Sequence, residues 1–141
     1  MPTIEMTDRI AAKNLRALVV DDQMLSRELL CAELAEFGVR TEQAVNGRDA
    51  LAKVLAADRT EPFDIVFTDL RMPELSGLDL IERIHHAGLG AMPMTVLVTA
   101  HGLPAQVLQD SAVPSHPDRI LAKPATTRDV LEVLLAACAD A

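Results

Sequence analysis

Tryptophan and tyrosine are absent from this chain of 141 residues, and Phe37, Phe63 and Phe67 are its only aromatics. It has no basic stripe and no aromatic platform on which bases stack. With a net charge of −8, the sequence therefore argues against nucleic-acid binding. Cysteine is scarce as well. Cys31 and Cys138 lie far apart in helix-like stretches, where a buried, inert thiol is the simplest role for each. No apolar run approaches the roughly 18 residues of a membrane span, and Met1 to Leu15 carry charges without the apolar core of a signal peptide. A soluble, cytoplasmic domain without membrane contact is expected. Half of the residues are hydrophobic, which excludes disorder, and the length fits one compact domain.

What is present is a set of short apolar runs that end in chemistry. Asp21 and Asp22 follow Ala17-Leu18-Val19-Val20, and Asp69 follows Ile65-Val66-Phe67-Thr68. Thr99 follows Thr95-Val96-Leu97-Val98, and Lys123 follows Ile120-Leu121-Ala122. Runs of this kind read as strands buried on both faces, hence as a parallel sheet. Ligands gather at the carboxyl ends of such strands.

Helical stretches alternate with the strands. Met24, Leu25, Leu29, Leu30, Leu34 and Phe37 recur at helical spacing, and Gly38 ends that helix. Thr41 to Val45 form a weak second strand, and Asn46-Gly47 a turn before a helix with Ala50, Leu51, Val54 and Leu55. Ser76-Gly77 opens a third helix. Pro104 can start a fourth, which Pro114 and Pro117 keep short. Thr126 can cap the last one. Alternating β and α over this length predicts an open α/β sheet with helices on both faces.

Three carboxylates at one sheet edge repel, at about 4 kcal/mol per pair for ~4 Å and an effective dielectric near 20. Lys123 and a divalent cation are the available counter-charges. Carboxylates and water are the ligand set of Mg²⁺, and no Cys/His cluster competes for zinc. A carboxylate beside such a cation can attack phosphorus and form an aspartyl phosphate. Lys123, the Thr99 hydroxyl and the amides following Asp69 and Thr99 suit the phosphoryl oxygens. Taken singly, an acidic pair is more often a helix cap and a strand-end Thr a turn residue. Their conjunction at one edge favours a site.

Val19-Val20-Asp21-Asp22, Thr68-Asp69-Leu70-Arg71-Met72-Pro73 with Gly77, Thr99-Ala100 and Lys123-Pro124 resemble the receiver domain of two-component response regulators. The resemblance covers about Leu15 to Ala139 and implies a flavodoxin-like, doubly wound, five-stranded parallel sheet of order 2-1-3-4-5. Residues 15–141 would be the receiver, and 1–14 a tail or interdomain linker with room for a short helix. Position by position, the resemblance implies Asp69 as the phosphoacceptor. Mg²⁺ would be held by Asp22, Asp69 and the Arg71 carbonyl, with Asp21 acting through water. Lys123, Thr99 and the Arg71 and Ala100 amides would hold the phosphoryl group. The donor would be a phosphohistidine on a histidine kinase or phosphotransfer domain, and the chain a phosphoacceptor rather than an enzyme.

Three departures from the family pattern stand out. Ile120 occupies the switch position where Tyr or Phe is usual. Val113-Pro114-Ser115-His116-Pro117 replaces a small-residue step before the fifth strand. Arg71 and His101 flank the site, either near the phosphoryl group or as solvated side chains. The chain is either a free receiver or one cut from a hybrid histidine kinase, and its first or last helix could support a weak homodimer. Two alternatives follow from the same residues. One is a binding-only pseudo-receiver. The other is a Mg²⁺-dependent aspartate-nucleophile phosphatase, which would want an acid where Arg71 stands.

Overall fold

The computed structural model describes residues 3–100 and 116–140. The stretch around Pro104, together with His101 and residues 113–115, lies outside them. Five helices are described: α1 (Ile4–Ala12), α2 (Met24–Glu36), α3 (Gly47–Asp58), α4 (Gly77–His85) and α5 (Thr127–Asp140). They alternate with β1 (Arg16–Val20), β2 (Arg40–Ala44), β3 (Ile65–Asp69), β4 (Met94–Thr99) and β5 (Arg119–Ala122). All strand pairs are parallel, in the order β2-β1-β3-β4-β5. This is the parallel sheet that the apolar runs predict, in the doubly wound 2-1-3-4-5 order that the family resemblance implies.

The two-residue period of the strands sorts the core into its two faces. Ala17, Val19, Ile65, Phe67, Val96 and Val98 point to one side, where Leu34, Phe37, Val130, Val133 and Leu134 of the α2 and α5 segments cover them. Leu18, Val20 and Val66 point to the other, against Ala50, Val54, Leu80 and Ile84 of α3 and α4. Each fully buried aliphatic side chain contributes about 1.5–3 kcal/mol relative to exposure.

The start and stop signals act as their chemistry dictates. Asn46 accepts the Asp49 amide (2.8 Å), and Ser76 forms a capping box with Asp79. Thr126 and Asp129 exchange side-chain to main-chain bonds of 3.1 Å at the start of α5. Gly38 takes φ +79° after α2, a left-handed conformation that glycine adopts without a Cβ penalty. Cys31 and Cys138 are buried, free thiols whose pKa values are raised by burial, as inert core residues should be.

Two features depart from the simplest sequence picture. The apolar stripe of α2 is only partly used: Leu34 is buried, whereas Met24, Leu25 and Leu29 are 63%, 70% and 62% exposed. Second, residues 4–12 form a helix that joins the core, because Ile10 is fully buried and α1 lies against α5. Thr3 caps it by accepting the Met6 amide at 3.1 Å. Ile10→Ala is expected to cost about 3 kcal/mol through lost burial and a residual cavity. Ile4→Ala on the exposed face should change stability by less than about 0.5 kcal/mol. Urea unfolding of both variants checks the pair, and equal midpoints would refute the core role of α1.

Candidate metal and phosphoryl site

The sheet register brings the polar strand ends into line. Val20 pairs with Thr68, so Asp21 and Asp69 follow at the same level on adjacent strands. Asp69 pairs with Val98, and Thr99 with Ala122, which places Thr99 and Lys123 on the same edge. Oxygens of Asp21, Asp22 and Asp69 lie within 4.8 Å of one another. Lys123 Nζ sits 2.6 Å from Asp21 Oδ2 and 3.5 Å from Asp69 Oδ2.

Main-chain amides fix the other oxygens of Asp21 and Asp69. The Gln23 amide donates to Asp21 Oδ1 (2.9 Å), and the Leu70 amide to Asp69 Oδ1 (2.8 Å). Asp21 is buried, Asp69 half-buried and Asp22 exposed. Thr99 is buried, and its carbonyl accepts the Lys123 amide at 2.8 Å, tying the ends of β4 and β5 together. Arg71 and Ala100 are exposed just beyond β3 and β4. Ile120 is 40% exposed on β5. A cavity of about 490 Å³ adjoins these groups, lined by Asp21, Asp69 and Lys123 together with Leu29, Phe67 and Val98.

The electrostatics point to a missing positive charge. Three carboxylates face a single ammonium, so the cluster is short of cation. Burial is the largest influence on the Asp69 carboxyl and pushes its pKa above the ordinary value of 3.8; Lys123 opposes this, and the Asp21 charge reinforces it. The donor set is entirely oxygen, which fits Mg²⁺. Among the described residues no other group of three such side chains comes this close.

A group whose folded pKa is raised favours folding when protonated, and that benefit is lost as pH climbs from the unfolded value through the folded one. Ionised Asp69 therefore costs stability at neutral pH. Without divalent cations, Asp69→Asn is expected to be more stable than wild type near neutrality, with the difference shrinking as pH falls toward 3.8. Urea midpoints at the two conditions check this; a difference that grows on acidification would contradict it.

Residues 17–135 match the family model of the response regulator receiver domain. The chain belongs to this family. It is 38% identical over 136 residues to the sensor histidine kinase RcsC of Salmonella typhimurium, covering 95% of this chain and 13% of that protein. It is 33% identical to the two-component response regulator ORR41 of rice, Oryza sativa, covering 90% of this chain and 96% of that one. The receiver domain of the Arabidopsis thaliana histidine kinase CKI1 shares the fold over the full length of both chains, with a TM-score of 0.78 at 22% identity. The chemotaxis protein CheY4 of Vibrio cholerae superposes with a TM-score of 0.72 at 25% identity, over 87% of this chain and 98% of its own.

As a receiver, the domain is part of two-component signal transduction, where a phosphoacceptor role fits the acid cluster. No described helix is long and apolar enough to cross a membrane. Of the residues singled out from sequence, Asp21, Asp22, Asp69 and Lys123 form one constellation, with Thr99 tied to it through the Lys123 amide. The bonds that join Arg27 to the Asp21 carbonyl and to Gln43 carry no signal in the sequence, because neither residue follows a strand end or a recognisable motif.

Proposed function

We propose that Asp69 accepts a phosphoryl group from a phosphohistidine on a histidine kinase or histidine phosphotransfer domain. One observation carries this reading: Asp69 ends the central strand with Asp21 and Asp22 within 4.8 Å and Lys123 Nζ at 3.5 Å. A carboxylate oxygen of Asp69 forms the new O–P bond while the P–N bond of the donor breaks, and the electron pair leaves with the imidazole. Asp22, Asp69 and the Arg71 carbonyl would hold Mg²⁺, with Asp21 acting through water, and the bound ion would neutralise charge on the transferring oxygens.

The rest is the work of the chain. Lys123 turns from Asp21 toward the phosphoryl group, and the Thr99 hydroxyl and the Arg71 and Ala100 amides donate to its other oxygens. Met24, Leu25 and Leu29 stand exposed on α2, directly after Asp22, and offer the donor protein an apolar footing. Ile120 has no ring to swap between surface and interior. The bond from the Lys123 amide to the Thr99 carbonyl supports an output that travels along the joined ends of β4 and β5. The similarity to RcsC supports a place in a phosphorelay. Incubation with acetyl phosphate and Mg²⁺ tests the reading: the wild-type chain should gain one phosphoryl group, and no gain by a folded, Mg²⁺-binding chain would refute it.

A further inference from the structure

Behind the acid cluster lies a polar brace that the phosphoryl chemistry does not use. Arg27 is half-buried near the start of α2. Its Nη1 donates to the main-chain carbonyl of Asp21 (2.8 Å), and its Nε donates to Oε1 of Gln43 on β2 (3.0 Å). Gln43 is itself held, since its carbonyl accepts from Lys53 Nζ at 2.5 Å, and Lys53 pairs with Asp49 at 3.3 Å. One guanidinium therefore joins the end of β1, the neighbouring strand and α2. Its donors form a rigid planar fork, so two bonds fix both distance and orientation.

The carbonyl that Arg27 holds is the one between Asp21 and Asp22. Its plane sets the relative directions of the two Cα–Cβ bonds, and so of two of the three carboxylates in the cluster. We propose that Arg27 is a positioning residue for the divalent-cation site, keeping the Asp21–Asp22 peptide plane in the orientation that aims both carboxylates at one ion. This rests on the reading of that cluster as a Mg²⁺ site. Charge alone predicts the opposite sign. A cationic guanidinium near the cluster repels Mg²⁺, so its removal should tighten binding if Arg27 acts only through its field.

Calorimetric titration of the full chain with Mg²⁺ separates these effects. Arg27→Ala is expected to weaken Mg²⁺ binding about tenfold, the range seen when residues that orient metal ligands are removed. Arg27→Lys, which keeps the charge and one donor but cannot span both partners, should fall between. Gln43→Ala should lose about two- to threefold, and adding it to Arg27→Ala should cause no further loss, because the two residues act as one unit. Ile10→Ala serves as a control for stability alone: it weakens the fold at a distance and should leave Mg²⁺ affinity at the wild-type value. Arg27→Ala binding as tightly as wild type or tighter, or losing no more than Ile10→Ala, overturns the proposal while leaving the Mg²⁺ reading intact. A wild-type chain that does not bind Mg²⁺ overturns both.

Discussion

Asp69→Asn is expected to take up no phosphoryl group from acetyl phosphate and Mg²⁺ under conditions in which the wild type gains one per chain. The substitution is nearly isosteric. Its amide oxygen can still accept the Leu70 amide, which lies 2.8 Å from Oδ1 in the wild type. What disappears is the anionic oxygen that attacks phosphorus. An amide nitrogen, whose lone pair is delocalised, does not replace it. The loss should be complete rather than partial, because no other carboxylate occupies the same place. Asp21 is engaged by Lys123 at 2.6 Å and by the Gln23 amide at 2.9 Å, and Asp22 is exposed at the rim. Removing a half-buried charge also relieves repulsion, so the variant should be folded and its inactivity chemical. Intact-mass measurement before and after base treatment reads the result, since an acyl phosphate survives acid and is cleaved by base. A base-labile adduct on Asp69→Asn at the wild-type level would place the nucleophile elsewhere.

The second large effect is steric. A Cβ added at Gly77 would lie 2.1 Å from the Asp69 carbonyl oxygen and 2.9 Å from Leu97 Cδ1. The obstacle at 2.1 Å is main chain and cannot rotate away. The first turn of α4 would have to retreat from β3, stretching the 2.8 Å bond from the Gly77 amide to the Leu70 carbonyl. Gly77→Ala is therefore expected to destabilise the domain by about 3 kcal/mol or more, at the upper end of overpacking costs. It should also weaken Mg²⁺ binding, because the crowded carbonyl belongs to Asp69 itself. Gly90→Ala is the matched control, with no atom nearer than 3.8 Å to the added Cβ, and should change stability by less than about 0.5 kcal/mol. Urea unfolding with m-values compared across the three proteins, with and without Mg²⁺, reads both effects. A Gly77→Ala midpoint equal to wild type would show that α4 does not need this close approach.

Much of the candidate site was legible because each strand is short and ends where its apolar run ends. Four such runs deliver Asp21, Asp69, Thr99 and Lys123 to one edge once the sheet is parallel, and the register then aligns each to within a residue of the one on the neighbouring strand. The second strand was the faintest signal. It runs from Arg40 to Ala44, one residue earlier than the sequence pattern suggests, because its exposed start, Arg40-Thr41, lacks the alternation that marks a boundary. The helical stripe on α2 was visible, but not that three of its members would remain in water. Periodicity states which residues share a face, and only packing states how much of that face is covered.

By itself, the sequence determined the five parallel strands, the turn at Asn46-Gly47, the helix starts at Ser76 and Thr126, and the gathering of three acids and a lysine. These are consequences of spacing along the chain and of local hydrogen-bonding chemistry. Tertiary structure alone decided that α1 enters the core through Ile10, that Gly77 must pass against the Asp69 carbonyl, and that Arg27, on α2 and braced by Gln43 of β2, holds the peptide between Asp21 and Asp22. Each of these joins residues or segments whose approach depends on how helices settle on the sheet. That settling is governed by the shape and volume of the assembled core, which no local pattern encodes.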